Sequence, residues 1–304
     1  MQSNEGGNIS METVAFFGLG QMGQGMAWRL LEGGYKLSLY NRTSEKARAF
    51  VDKGAEFFED PAEAVSTAKI LVTMLSDDYA VAAVIKEEVL QILGDGGIHL
   101  SMSTISPTAA EELSRAHAKH GTYYLACPVF GRPDAARSGN LWLCLAGDEN
   151  AKRRVRPLLE IMGQGTYDFG SSPPAANVAK LAGNFLIASA IEAMAEAFSL
   201  AEKNGVDSNQ VHAVLSETLF NCPIYQNYGR SILNQNYSPP GFTLALGSKD
   251  IRLLRDTARN SEVSMPLASL LEDRFLRSLA KKRGDMDWTA IALDQRESAG
   301  LSKS

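Results

Sequence analysis

The chain has 304 residues, enough for two ordinary domains that each bury a core. Its hydrophobic share of 45% and charged share of 21% are those of a globular protein. A formal net charge of -5 supplies no basic excess for nucleic acid or an anionic membrane, and three scattered cysteines exclude a disulfide framework and a paired-cysteine metal site.

Residues 1–12 are polar and glycine-bearing and predict a disordered leader without the apolar heart of a signal sequence. No uninterrupted apolar run reaches the roughly 18 residues that span a bilayer, so no membrane segment is expected. Together with the reduced-type cysteine usage, this points to the cytoplasm. Over residues 13–172, short apolar runs alternate with helical patterns. Strands are expected at residues 14–17, 36–40, 70–74, 97–101, 122–125, 141–146 and 166–169, with helices at 22–32 and from Thr43-Ser44 onward. That alternation predicts an α/β fold, a doubly wound parallel sheet of the Rossmann type.

The pattern changes after Ser171-Ser172-Pro173-Pro174. A long helix is expected over 175–203, begun by the prolines and ended at Gly205. Further helices are expected at 209–218, 250–260 and 266–281. Residues 173–304 therefore read as an all-helical domain for substrate binding and dimerisation, joined to the first domain by the long helix.

Gly18-Leu19-Gly20-Gln21-Met22-Gly23 follows the first strand and opens a helix. In that context a GxGxxG run is a pyrophosphate cradle: the first glycine turns, the second admits the phosphates and the third lets helix and strand close up. The helix N-terminus adds amide donors and a favourable dipole. After the second strand, where an NAD site carries Asp or Glu, stands Asn41-Arg42-Thr43. Arg42 suits a 2′-phosphate and the neighbouring polar groups can donate to it, so NADP(H) is the expected cofactor; the alternative is a solvated surface arginine. Leu75 and Ser76, beyond the third strand, belong with the same edge.

On the long helix, Asn177, Lys180 and Asn184 share one face of an otherwise apolar surface, beside Gly183. Lysine is almost never buried without a partner or task. Two readings stand: a proton donor to a carbonyl oxygen, with Asn184 orienting the substrate, or a snorkelling side chain. Two loops are expected to serve this lysine. One is Ser103-Thr104-Ile105-Ser106-Pro107, where Thr104 or Ser106 also suits a helix cap. The other runs through Phe130, Gly131 and Arg132, where Arg132 is either a carboxylate clamp or a solvent-exposed arginine.

With these residues in place, the chain resembles the β-hydroxyacid dehydrogenase family (3-hydroxyisobutyrate dehydrogenase-like). It is most similar to the branch of glyoxylate and succinic semialdehyde reductases, over Val14 to about Trp288. The resemblance rests on Phe17 to Gly23, Asn41-Arg42-Thr43, Met102 to Pro107, Ala179-Lys180-Leu181-Ala182-Gly183-Asn184 and Lys249-Asp250. It implies a Rossmann domain followed by a helical one, assembly as homodimers or homotetramers, and Lys180 as general acid in reduction. The Lys249-Asp250 pair is implied to reach the active site, and Lys249 is taken with the cofactor residues.

One motif departs from the family. Its substrate loop usually reads Asp-Ala-Pro-Val-Ser-Gly-Gly; here Ala126-Cys127-Pro128-Val129-Phe130-Gly131-Arg132 stands in its place. Phe130 removes a hydroxyl that helps hold the substrate carboxylate, and Arg132 adds charge beside it. The expected activity is thus NADPH-dependent reduction of a small aldehyde or 2-oxo acid. An imine reductase-like activity and a non-catalytic NADP-binding interaction protein are the alternatives. Tyr225, Tyr228, Tyr237 and Phe242 fall in a stretch read as loop-rich, suited to packing or a wall of the site. The four histidines show no metal-ligand spacing, and no metal is expected.

Overall fold

A computed structural model describes residues 12–301. Apart from Glu12, the expected leader lies outside the described residues. The chain divides into two compact units, Met1–Asn177 and Val178–Ser304.

The first unit runs β1 (Thr13–Phe17), α1 (Gln21–Glu32), β2 (Lys36–Tyr40), α2 (Arg48–Val51), β3 (Glu56–Phe58), α3 (Pro61–Val65), β4 (Ile70–Thr73), α4 (Asp78–Val84), α5 (Glu87–Leu93), β5 (Ile98–Ser101), α6 (Pro107–Lys119) and β6 (Tyr123–Ala126). It continues with β7 (Val129–Phe130), α7 (Pro133–Ser138), β8 (Leu141–Leu145), α8 (Glu149–Met162) and β9 (Gly163–Asp168). Six strands form one parallel sheet in the order β3-β2-β1-β4-β5-β6, the Rossmann order. Successive side chains on a strand face opposite ways, and both faces here are covered. Val14, Phe16, Val72 and Leu100 enter one core with Met26, Val155 and Leu158, while Ala15, Phe17 and Leu71 enter another with Val81, Leu90 and Ala110. All six strands end at the same edge, which gathers the loops after Phe17, Tyr40, Thr73 and Ser101.

Two strand expectations change. The segments at 141–146 and 166–169 do not extend the main sheet; as β8 and β9 they form a three-stranded sheet with β7, which runs antiparallel to β8. β3 was not anticipated, because Glu56-Phe57-Phe58 is too short to show alternation.

A thirty-residue helix, α9 (Pro174–Lys203), carries the division between the units. The second unit continues with α10 (Ser208–Glu217), α11 (Pro223–Leu233), α12 (Leu244–Asn260), α13 (Pro266–Ala280) and α14 (Ile291–Ser298), with no strand among its described residues. Its core joins Ile191, Met194 and Phe198 of α9 to Tyr228, Ile251, Phe275 and Trp288. Tyr225 and Tyr228 sit on α11 rather than in a loop. α12 begins at Leu244 rather than Asp250, capped by the Thr243 hydroxyl, which accepts from the Leu246 N–H at 3.3 Å. Gly247 permits close packing within α12: a Cβ there would stand 2.9 Å from the Phe275 ring.

The membrane expectation also needs correcting. An 18-residue stretch of α9 has mean hydropathy 1.3, so the helix is long and apolar enough to cross a bilayer, although half of that stretch is buried in the protein. Counting uninterrupted apolar runs missed it, because Lys180, Asn184 and Glu192 punctuate the helix. Those polar groups are buried and paired inside the protein, as in a core helix.

Candidate active site

The glycine run turns between β1 and α1. Gly18 has φ +104°, and a Cβ there would lie 2.3 Å from the Met74 carbonyl oxygen. A Cβ on Gly23 would lie 1.9 Å from the Gly18 carbonyl oxygen, so this glycine seats the helix against the turn. Gly20 differs: a Cβ there meets nothing within 4 Å. It is the N-cap of α1 and has no side chain to satisfy the first amides. Open space over uncapped N–H groups of a helix N-terminus is what a pyrophosphate requires, so the residues fit a dinucleotide. Gln21 is exposed at this turn, whereas the Met22 side chain packs against the core.

The end of β2 is tied to this turn. Asn41 Oδ1 accepts from the Leu19 N–H at 2.8 Å, and Asn41 Nδ2 donates to the Thr43 carbonyl at 2.7 Å. Asn41 therefore braces the glycine loop, while Arg42, Thr43 and Ser44 stand exposed beside it.

Beyond β4 and β5, two loops are stitched together. Ser103 is fully buried; its Oγ accepts from the Leu75 N–H at 2.8 Å and is 3.5 Å from the Thr73 carbonyl. Asp78 accepts from the Ser106 N–H at 2.9 Å, and the Ser106 hydroxyl caps α6 through the Ala109 N–H. Ser76 is exposed and donates to Asp77; Thr104 is half-buried. The structure thus brings Gly18, Leu75 and Ser103 together, with Ser103 turned inward.

Phe130, on β7, is half-buried against the same core cluster as Leu75 and Ile105. Gly131 has φ +145°, where a Cβ would meet Leu141 at 2.5 Å. Arg132 is the N-cap of α7. Asn177 is buried, and its amide donates to the Ile105 carbonyl at 3.2 Å.

In the second unit, Lys180 and Asn184 lie one turn apart on α9 and are 8% and 4% exposed. Lys180 Nζ donates to Asn184 Oδ1 at 2.9 Å, and Asn184 Nδ2 donates to Asp250 Oδ2 at 2.5 Å. Lys249 Nζ pairs with Asp250 Oδ1 at 2.9 Å. The chain fixes the Asn184 amide: its NH₂ must face the carboxylate, so its oxygen faces the lysine. A buried ammonium is thereby held in one place with a compensating carboxylate nearby. The resemblance implied that the Lys249-Asp250 pair reaches the active site; the bond from Asn184 to Asp250 was not foreseen. The signal available was an acid on the apolar face of α12, four positions from Leu254. Among the described residues, no cluster of three His, Cys, Asp or Glu side chains is arranged for a metal ion.

A Rossmann sheet with a glycine-lined anion cradle, in a chain that also carries a buried and oriented lysine, is the pattern of an NAD(P)-dependent oxidoreductase. Comparison with known proteins narrows this class. Residues 13–171 match the family described as the NAD binding domain of 6-phosphogluconate dehydrogenase, and residues 174–293 that described as NAD-binding of NADP-dependent 3-hydroxyisobutyrate dehydrogenase. An uncharacterized oxidoreductase, YfjR of Bacillus subtilis, is 41% identical over 91% of this chain and 98% of its own. Glyoxylate/succinic semialdehyde reductase 1 of Arabidopsis thaliana is 31% identical over 91% of this chain and 96% of its own. The structure of Mycobacterium tuberculosis 3-hydroxyisobutyrate dehydrogenase, solved with L-serine, superposes with a TM-score of 0.86 at 30% identity, covering 94% and 99% of the two chains. An imine reductase of Streptomyces aurantiacus shares the fold more distantly, with a TM-score of 0.65 at 24% identity. The protein belongs to the 3-hydroxyisobutyrate dehydrogenase-like family, with the glyoxylate and succinic semialdehyde reductases among its relatives, and is an NAD(P)-dependent oxidoreductase acting on CH–OH groups.

Proposed function

We propose that the protein is a cytoplasmic NADPH-dependent reductase of a small aldehyde or 2-oxo acid, with Lys180 as the proton donor. The observation that carries this reading is the chain Lys180–Asn184–Asp250–Lys249, which orders a buried ammonium. Bound NADPH supplies the hydride that the carbonyl carbon accepts. Lys180 Nζ gives a proton to the carbonyl oxygen and becomes neutral; in oxidation it takes that proton back. Asn184 holds the Nζ in place through its oxygen, and Asp250 holds the Asn184 amide. Gly20, Gln21 and Met22 offer backbone amides to the pyrophosphate, Asn41 braces their turn, and Arg42 with Thr43 takes the 2′-phosphate. Leu75, Ser76, Thr104 and Lys249 complete the cofactor contacts, with Ser103 positioning Leu75. Asn177, Phe130, Gly131 and Arg132 shape the substrate end, Arg132 binding a carboxylate. The preference for NADPH rests on the exposed Arg42 and on the absence of an acid after β2. The cytoplasmic assignment rests on three free thiols, Cys127, Cys144 and Cys222.

Phe130 favours a second reading. An aromatic ring in place of a hydroxyl suits a neutral or imine substrate better than a hydroxy acid. The test is NADPH consumption with glyoxylate, succinic semialdehyde, neutral aldehydes and a cyclic imine. Turnover of the two acids supports the first reading. Turnover confined to neutral substrates or the imine supports the second.

A further inference from the structure

Beneath the loops that follow β4 and β5 runs a line of buried polar side chains with no part in the chemistry above. Thr73 Oγ1 lies 2.9 Å from His99 Nε2, His99 Nδ1 lies 3.0 Å from His117 Nε2, and His117 Nδ1 lies 2.8 Å from Thr122 Oγ1. Thr122 is 5% exposed and the other three are fully buried. The line starts at the end of β4, crosses β5 and reaches the last turn of α6.

Distances alone leave its direction open, but the hydrogens decide it. Thr122 Oγ1 also lies 3.1 Å from the His117 carbonyl, which can only accept. Suppose Thr122 donates to that carbonyl. It then accepts from His117 Nδ1–H; His117 Nε2 accepts from His99 Nδ1–H, and His99 Nε2 accepts from the Thr73 hydroxyl. Every hydrogen finds an acceptor. Run the other way, the bond to the carbonyl is lost and the Thr73 hydroxyl hydrogen is stranded at a site closed to water, which is costly. The first direction holds, so both rings are neutral and carry their proton on Nδ1. Burial pushes both imidazoles well below their ordinary range, His117 to about 3, in keeping with neutral rings.

The far end of the line bears on the cofactor edge. Thr73 is the last residue of β4; its carbonyl accepts from the Met102 N–H at 2.9 Å and lies next to the Ser103 hydroxyl, which accepts from the Leu75 N–H. Whatever fixes Thr73 fixes the points at which residues 74–76 and 102–104 leave the sheet. We propose that His99 and His117 are positioning residues for cofactor binding, a directional relay that pins Thr73 from inside the fold and sets the two loops in register. An apolar pair would fill the same volume but would hold no direction. This inference rests on the reading that these loops take the dinucleotide.

The test follows NADPH affinity by fluorescence titration, with kcat measured at saturating cofactor. Thr73→Val removes the hydroxyl and keeps the shape; His99→Leu breaks the relay; Ser103→Ala probes the loops directly; Val84→Ala, in the same core and away from the relay, is the stability control. Thr73→Val and His99→Leu should each raise the Kd for NADPH about tenfold, as when only about a tenth of the free protein keeps its loops in binding register, with kcat retained. Val84→Ala should lower the melting temperature and leave Kd alone. Nitrogen-15 NMR of the histidines should show both protons on Nδ1. Wild-type Kd in folded Thr73→Val and His99→Leu, with Ser103→Ala impaired, overturns the relay and leaves the site standing; so do Nε2–H rings. Wild-type Kd in all three removes the loops from the cofactor site, and the relay's role with it.

Discussion

In the proposed reaction Lys180 is the proton donor, and its surroundings say what each substitution should do. Lys180→Ala removes the proton donor without touching the glycine cradle. The expectation is a fall in kcat of roughly 10²–10⁴ with NADPH affinity unchanged. Asp250→Leu attacks the same chain from its other end. It frees the Asn184 amide to rotate and removes the carboxylate that pairs with Lys249. A large loss of kcat with a modest change in cofactor Kd is expected, and stopped-flow titration separates the two. Arg42 belongs to the opposite balance. Arg42→Ala should weaken NADPH by about 1.5–3 kcal/mol, the worth of a hydrogen bond to a charged group, while NADH binding stays as it was. Equal losses for both cofactors would remove Arg42 from the 2′-phosphate.

At the scale of elements, the glycine turn separates two effects that a sequence merges. Gly20→Ala places its Cβ in open space, so the melting temperature should hold while NADPH affinity falls. Gly23→Ala drives a Cβ into the Gly18 carbonyl and should lower both. The relay beneath β4 and β5 has its own signature in acid. The His117 pKa is depressed to about 3 in the folded protein, against an unfolded value of 6.5, so between those values the unfolded chain binds the extra proton. Stability should therefore be full above about pH 6.5 and fall by about 1.4 kcal/mol per pH unit for this group as pH drops below it. His99 acts in the same direction. Glu192 opposes them: burial raises it to about 7 from 4.5, so its protonation adds stability as pH falls through that window. Urea unfolding of wild type and His117→Gln at pH 7.5 and 5.5 isolates the histidine. The variant should lose less stability on acidification than wild type, and an identical loss would contradict the assignment.

Much of this was legible in the sequence, for a reason of distance. The glycine cradle, Asn41 and the Lys180–Asn184 stripe are local patterns, set by one turn or one helical period. The alternation of strands and helices gave the Rossmann sheet. What could not be read was held together across the fold. His99 and His117 are eighteen positions apart and meet only once β5 and α6 are laid side by side. Asn184 and Asp250 are sixty-six apart. Nor does alternation say which sheet a strand joins, so β8 and β9 were expected in the wrong one. The bond from the Leu19 N–H to Asn41 was likewise out of reach, because the two residues sit on different loops twenty-two positions apart.

For the whole molecule, the helical unit leaves a row of apolar side chains on its surface. Leu186 and Leu200 on α9 are 66% and 68% exposed, and Leu267 and Leu270 on α13 are 44% and 43% exposed. Large exposed leucines of this kind are where contact with a second subunit is to be sought. Homodimers or homotetramers are expected by light scattering on the eluting protein, and Leu186→Glu with Leu200→Glu should shift the mass toward the monomer. A wild type that elutes as monomer at micromolar concentration would contradict this. NADPH oxidation with glyoxylate and succinic semialdehyde, run beside Lys180→Ala, tests whether the protein reduces a carbonyl with Lys180 as acid. Wild type should turn over both acids, and Lys180→Ala should lose that turnover while still binding NADPH. Comparable turnover in the two proteins would contradict that role.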